Sequence, residues 1–204
     1  MLTELRKLPC VTGVTACQGY PFDGGNNSTT NIDNRTLSFQ VLCGDASYMR
    51  TLGIKLLRDY HLDDPKAVYV NRQTLAELGL PMDARSFRAG NDVVHIRGVI
   101  DDIKIRTVTS DQHPLLIYVG KEVKYPWNLL VRVRGDEAAA YERIKEVYSS
   151  VTGTDLSMDC DTPYLDQLIN QEYVQEKRIS TIVTLFATIA VIISLLGLVA
   201  MSTY

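Results

Sequence analysis

The residues that most often carry out chemistry are scattered along this sequence of 204 residues. The three histidines, His61, His95 and His113, lack the spacing of metal ligands, and His95 lies in an apolar run where a structural role is the better interpretation. The sequence contains neither a glycine-rich phosphate-binding loop nor the G-x-S-x-G motif of a serine nucleophile. We therefore predict no catalytic residue, no cofactor and no metal site, and we do not expect the chain to be an enzyme.

An acidic stretch over residues 155–166 has some features of a calcium-binding loop. The sixth position of such a loop needs glycine for its sharp turn, and the twelfth needs a bidentate glutamate. Cys160 and Asp166 occupy these two positions here. We therefore expect no calcium site in this stretch.

The four cysteines are Cys10, Cys17, Cys43 and Cys160. If the domain faces an oxidising compartment, one or two disulfides can form. Spacing does not choose among the three full pairings, which stay open at this point.

Composition is that of a globular protein, with 46% hydrophobic and 22% charged residues. The chain carries 21 basic and 24 acidic residues, for a net charge of −3. This balance excludes a dedicated nucleic-acid binder, so we expect no nucleic-acid partner.

Charge is nevertheless distributed unevenly. Residues 179–201 contain no charged residue and no proline, and 17 of these 23 residues are apolar. As a helix they would span about 34 Å, compared with a hydrocarbon core of about 30 Å. They therefore predict a transmembrane helix, whose main positions are Ile179, Ile182, Leu185, Phe186, Ile189, Ile193, Leu196, Gly197 and Met201.

The transmembrane helix continues a helical pattern that begins near Tyr164. No glycine or proline lies between Tyr164 and Leu196. Glu176, Lys177 and Arg178 are expected at the level of the lipid headgroups. We divide the chain into a folded domain (1–163), a stalk helix (164–178) and a transmembrane helix (179–204). We also expect the sequence to be cut from a longer polypeptide, because no polar flank ends this helix.

Strands and short helices alternate through the folded domain, which predicts an α+β fold. Residues 19–36 are rich in glycine, asparagine, serine and threonine, which favours a loop. Asn71 is a good N-cap, and Gly53 and Gly79 are good helix ends. The predicted strands are 11–17, 37–43, 54–57, 67–70, 93–100, 115–119 and 129–133, and the predicted helices are 2–8, 46–52, 73–78 and 136–149.

Five stretches, taken in order, resemble the MacB/FtsX-type ABC transporter permease family. Cys10 stands where the family usually has glycine, and Arg58-Asp59 replaces its Gly-Arg turn. The stretches are LRKLPCVTGVTAC (5–17), SYMRTLGIKLLRD (47–59), AVYVNRQTLAELGL (67–80), IRGVIDDIKIRTVTSDQHPLLIYV (96–119) and YLDQLINQEYVQEKRISTIVTLFATIAVIISLLGLVAMSTY (164–204).

The resemblance implies a MacB-like periplasmic core domain, with a porter-like α/β subdomain, a small β-rich subdomain and a long C-terminal stalk and transmembrane helix. The ending LLGLVAMSTY is similar to the second extracytoplasmic domain of the duplicated permeases of Bacteroidetes-like bacteria. The domain would face the periplasm from the bacterial inner membrane.

The implied role is mechanotransmission: the permease would pass an ATP-driven conformational change across the membrane for export or envelope-substrate handling. ATP would be hydrolysed by a separate cytoplasmic ABC ATPase subunit. Further implied partners are a permease half or second permease copy, membrane lipid, and a periplasmic adaptor or substrate lipoprotein or peptide.

Two other functions remain open on the residues alone. One is a membrane-tethered sensor or binding domain of a signalling protein, which predicts a cytoplasmic signalling module after Tyr204. The other is an anchored envelope hydrolase, which would need a nucleophile or metal constellation. The permease hypothesis predicts two further hydrophobic spans after Tyr204.

Overall fold

The computed structural model describes residues 1–21, 26–32, 35–103, 113–156 and 164–202. The chain divides into two compact units, Met1–Asp161 and Thr162–Tyr204. Each unit is described by itself.

The first unit combines strands with short helices, as the α+β prediction requires. Its strands are β1 (Val11–Gln18), β2 (Asn26–Ile32), β3 (Arg35–Gly44), β4 (Leu56–Asp59), β5 (Val68–Asn71), β6 (Ser86–Ala89), β7 (Asp92–Ile100), β8 (Leu115–Val119) and β9 (Asn128–Val133). Its helices are α1 (Leu2–Leu5), α2 (Tyr48–Leu52), α3 (Arg72–Leu78) and α4 (Glu137–Thr152). The second unit contains the helix α5 (Leu165–Ser202).

Within the described residues the strands form one mixed sheet, in the order β4-β7-β5-β8-β3-β1-β9. The pairs β3–β8 and β5–β7 are parallel, whereas the other pairs are antiparallel. The strand β2 extends β3 as a hairpin, and β6 extends β7 in the same way. A hydrogen bond from Gly90 N to Asn31 O, 3.2 Å long, links the two hairpins into a small β-rich part.

Apolar side chains gather in two clusters against this sheet. One contains Leu42, Tyr48 and Ile117, all fully buried. The other lies under the hairpins, where the rings of Phe39 and Phe87 stack with their centroids 6.3 Å apart. Burial of large aromatic and aliphatic side chains supplies most of the favourable free energy of folding.

The predicted helix ends are confirmed. The side chain of Asn71 accepts a hydrogen bond from Thr74 N at the start of α3. Gly53 and Gly79 end α2 and α3 with φ values of 69° and 65°, in the left-handed region where glycine carries no steric penalty.

The loop predicted over residues 19–36 is wrong for its described middle part. Residues Asn26–Ile32 form β2 and pair with β3 at every position from Asn26↔Val41 to Ile32↔Arg35. Composition favoured a loop because six of the seven residues are Asn, Ser or Thr, yet most of them lie on an exposed face where polar side chains remain hydrated. The pairing with the neighbouring strand β3 decides the structure here, and this context overrides local propensity.

Two smaller differences concern short strands. The strand predicted at 54–57 lies at Leu56–Asp59, and β6 was not predicted. Both strands pair only with β7, which is distant from β4 in the sequence but directly follows β6. Four-residue strands carry too little periodic pattern to be recognised locally.

Candidate functional site

The candidate site is the helix α5, which runs unbroken over 38 residues from Leu165 to Ser202. At 1.5 Å per residue it is about 57 Å long. The sequence explains its continuity, because no proline interrupts it and Gly197 lies near its end. This single helix contains the predicted stalk and the predicted membrane span.

The segment Thr181–Leu198 of α5 is long and apolar enough to cross a membrane, and none of it is buried inside the protein. Phe186 is 67% exposed and Leu196 is 65% exposed. The other predicted transmembrane positions, Ile179, Ile182, Leu185, Ile189, Ile193, Gly197 and Met201, are also exposed. A continuous apolar surface of this length requires a partner or lipid around it.

The polar side chains described within the apolar segment are satisfied locally. Thr188 Oγ1 donates to Thr184 O, and Ser194 Oγ donates to Ala190 O, both at 2.8 Å. A hydroxyl that bonds back to the preceding helical turn leaves no unpaired donor for an apolar solvent to accommodate. The hydroxyl residues are therefore compatible with lipid surroundings.

The predicted junction residues Glu176, Lys177 and Arg178 lie on α5, between the stalk and the apolar segment. The helical backbone passes through them without a break. Their side chains lie outside what the structure describes, so their position at the headgroup level stays a prediction.

In the first unit, the carboxylate of Asp45 links α2 to β1 through hydrogen bonds. It accepts hydrogen bonds from Thr15 Oγ1 (2.7 Å) and Ala16 N (3.1 Å) on β1. It also accepts from Ser47 Oγ (2.6 Å) and Ser47 N (2.8 Å) at the start of α2. Burial raises the pKa of Asp45, but hydrogen bonds from Ser47, Thr15 and Ala16 lower it and prevail, so the carboxylate stays charged.

Sequence reasoning missed this role of Asp45. The signal was present, because an aspartate side chain commonly accepts from the backbone N–H two residues further on. What the sequence does not show is that Thr15 and Ala16, about thirty positions earlier, supply the other donors.

A second polar cluster links α3 to β8 through hydrogen bonds. Asn71 Oδ1 accepts from Thr74 Oγ1 (2.7 Å) and from Leu115 N (3.1 Å), and Asn71 Nδ2 donates to His113 O (3.0 Å). Thr74 Oγ1 in turn accepts from Leu115 N at 2.8 Å. Asn71 and Thr74 are fully buried, so these bonds satisfy groups that water does not reach.

The residues that could do chemistry are not brought together. Within the described ranges of the chain, no group of three or more His, Cys, Asp or Glu side chains could hold a metal ion. His61 lies in a turn with φ 52°, and its N–H bonds Asp59. His95 lies on β7 and is exposed. The acidic stretch around Cys160 lies outside the described residues.

The fold limits the predicted disulfides. On the paired strands β1 and β3, Cys17 lies opposite Gly44, whereas Cys43 lies opposite Gln18. Side chains alternate between the two faces of a sheet, so Cys17 and Cys43 lie on opposite faces. Burial raises the pKa of the Cys43 thiol, which makes it a poor nucleophile.

Cys10 is also too far from both of these cysteines. It precedes β1, at roughly 20 Å from Cys17 along an extended strand, whereas a disulfide needs Cα atoms within about 7 Å. Each full pairing of the four cysteines includes one bond among Cys10, Cys17 and Cys43. No full pairing therefore fits this fold, and two simultaneous disulfides are excluded.

The fold is similar to that of two solved extracytoplasmic domains. One is the periplasmic region of MacB from Actinobacillus actinomycetemcomitans, with a TM-score of 0.53, 14% identity, and coverage of 76% of this chain and 73% of that chain. The other is the extracellular domain of the noncanonic ABC-type transporter YknZ from Gram-positive bacteria, with a TM-score of 0.54, 10% identity, and coverage of 76% and 83%. No protein-family model and no curated protein matches the sequence.

At these identities the likeness concerns the fold. It confirms the α+β architecture expected from the resemblance. The long apolar C-terminal helix of this chain fits the expected stalk and transmembrane helix. The first unit of this chain therefore has the fold of a MacB-like periplasmic domain.

Proposed function

We propose that this chain is an extracytoplasmic domain, with an adjoining transmembrane helix, of an ABC transporter permease subunit of the MacB/FtsX type. One combination carries the proposal: a MacB-like fold is followed in the same chain by a helix that extends unbroken into an apolar segment. The domain would face the periplasmic side of the bacterial inner membrane. ATP would be hydrolysed by a cytoplasmic ATPase subunit.

In this proposal α5 has two functional parts. Residues 164–178 form a stalk of about 22 Å outside the hydrocarbon. Glu176, Lys177 and Arg178 lie at the headgroups, where charged side chains remain hydrated. The exposed apolar residues from Ile179 to Met201 contact lipid or neighbouring transmembrane helices.

The mechanical part of the proposal is that α5 transmits movement between the membrane and the folded domain. An unbroken α-helix resists bending, because a sharp kink needs a proline, a glycine pair or an inserted side chain. The described backbone shows none of these between Leu165 and Leu196. The partners are the ATPase, a permease half or second permease copy, and a periplasmic adaptor or substrate lipoprotein or peptide.

The side of the membrane can be tested with a membrane-impermeant maleimide. Val93 is 53% exposed on β7, so a cysteine in its place would be accessible to reagent. In intact spheroplasts we expect V93C to be labelled, with little labelling of Cys17, which is fully buried. Labelling that requires inner-membrane permeabilisation would contradict the proposed orientation.

Coupling can be tested by inserting two glycines between residues 171 and 175 in the complete transporter. Insertion of two alanines at the same place is the matched control, because it changes length and register equally but keeps the helix stiff. Spin labels at V93C in two copies should report an ATP-dependent distance change in the alanine variant only. An equal change in the glycine variant would refute transmission through a rigid stalk.

A further inference from the structure

A cavity of about 120 Å³ opens beside the first half of β1. It exists because β1 pairs with β3 only at Cys17 and Gln18, so residues 11–14 have no strand on that side. The helices α1 and α2 contact β1 instead. A β-carbon at Gly13 would lie 3.0 Å from Thr51 Oγ1, so any larger residue here would press against the Thr51 side chain.

Two arginines from different elements line this cavity. Arg6 follows α1, and Arg50 lies in α2. Arg6 Nη2 lies 3.5 Å from Val14 O, so its guanidinium reaches over the strand edge. Ser47 Oγ also lines the cavity and lies 2.6 Å from the same carbonyl.

No carboxylate neutralises these two guanidinium groups. Among the described residues, neither Arg6 nor Arg50 forms a salt bridge, and the lining of the cavity contains no acidic side chain. Asp45, the buried acid of the described residues, contacts Ser47 and already accepts four hydrogen bonds from Thr15, Ala16 and Ser47. The cavity is therefore positively charged.

A third guanidinium group, that of Arg132, contacts the helix that carries Arg50. Arg132 on β9 donates from Nη1 to Arg50 O at 3.4 Å, at the C-terminal end of α2. Its Nη2 lies 3.3 Å from the place a β-carbon on Gly53 would occupy. Arg132 thus positions the end of the helix that carries Arg50 and adds to the positive potential.

We propose that this cavity binds a phosphate-type oxyanion between Arg6 and Arg50. Guanidinium groups donate two parallel hydrogen bonds to phosphate oxygens, and such charge-assisted bonds are the strong ones. A volume of about 120 Å³ exceeds the roughly 30 Å³ share of a single water, and it accommodates a tetrahedral oxyanion. The phosphate can be free or belong to a lipid headgroup. This site is independent of the transport role proposed above.

The test uses the full chain in an uncharged detergent and isothermal titration calorimetry. The probes are inorganic phosphate, short-chain phosphatidic acid and, as a neutral lipid control, a short-chain diacylglycerol. We expect R6Q and R50Q each to weaken phosphate binding about tenfold or more, because each removes a charge-assisted contact. Arg88, exposed on β6 and outside the cavity, provides the matched control R88Q, which should bind like the unaltered chain.

The outcomes separate the sources of the ligand. Binding of inorganic phosphate that depends on Arg6 and Arg50 supports a site for the free anion. Binding of phosphatidic acid alone, with the same dependence, supports a lipid headgroup as the source. Absence of binding by both probes, or an equal loss in R88Q, would overturn the proposal. Circular dichroism of each variant shows whether a loss of binding reflects misfolding. The variant R6K keeps the positive charge but not the planar guanidinium group, so it should bind more tightly than R6Q and more weakly than the unaltered chain.

Discussion

Asp45 joins two elements through one buried carboxylate. Its four hydrogen bonds connect β1 with the first residues of α2, and the charged form accepts all of them. Since the folded-state pKa lies below the ordinary value, this group stabilises the fold above the pKa of an unfolded aspartate. That contribution is lost as the pH falls through the lowered pKa.

The substitution Asp45→Asn should lower the free energy of unfolding by about 1–3 kcal/mol, because an amide cannot accept all four hydrogen bonds. It should also reduce the loss of stability on acidification. Urea unfolding of the full chain in uncharged detergent, followed by near-ultraviolet circular dichroism between pH 7 and pH 3, measures both effects. Asp92→Asn, at an exposed position of β7, is the control. A similar shift in both variants would contradict the role of Asp45.

Asn71 acts at the boundary between residue and element, because it caps α3 and also binds the backbone of β8. Asn71→Ala removes the cap, the acceptor of Thr74 Oγ1 and one of the two side-chain acceptors of Leu115 N. We expect a loss of about 2–4 kcal/mol in the free energy of unfolding. The same urea experiment measures it, with exposed Asn91→Ala as the control; equal midpoints for the two variants would be inconsistent with the cap.

At the scale of elements, α5 differs from every other helix in the described chain. The helices α1 to α4 each bury at least one side chain against the first unit, whereas the segment Thr181–Leu198 of α5 buries none. A soluble helix usually shows one apolar stripe and one polar face. The apolar residues of this segment instead surround the helix, which is the pattern of a helix in lipid.

The central position of α5 offers a direct test of its surroundings. Ile189→Lys should disfavour membrane insertion by about 2.5–3.5 kcal/mol, the cost of a lysine near the bilayer centre. The fraction of chain that resists alkaline carbonate extraction from membranes should fall, while Ile189→Val should behave like the unaltered chain. If I189K remained fully integrated, Ile189 would not lie in the hydrocarbon.

At the scale of the whole molecule, the average composition combines two parts of the chain with very different charge content. All 45 charged residues precede residue 179, so about a quarter of that part is charged, whereas residues 179–201 carry none. The buried apolar residues of the described chain run from Leu5 to Ala140, within the first unit. The first unit thus contains its own core.

A chain that ends at Asp161 should therefore fold and remain in solution. Its urea midpoint should match that of the full chain, because the residues that form the core and the sheet are all retained. Size-exclusion chromatography and near-ultraviolet circular dichroism check this expectation. Aggregation, or loss of the cooperative transition, would show that α5 contributes to the stability of the first unit.

The sequence alone could predict those features that depend on residues close together in the chain. The helix α5 follows from an uncharged 23-residue run, and the ends of α2 and α3 follow from Gly53, Asn71 and Gly79, because each signal lies within a few residues of its effect. The strands β1, β3, β7, β8 and β9 are apolar enough to be recognised without their neighbours.

The tertiary structure decided everything that depends on residues far apart in the chain. The carboxylate of Asp45 meets Thr15 across thirty positions. Cys17 and Cys43 are kept apart by strand register, while Arg6 and Arg50 line one cavity because β1 and β3 diverge. Such pairings arise from burial and register over the whole sheet, which no local pattern of residues encodes.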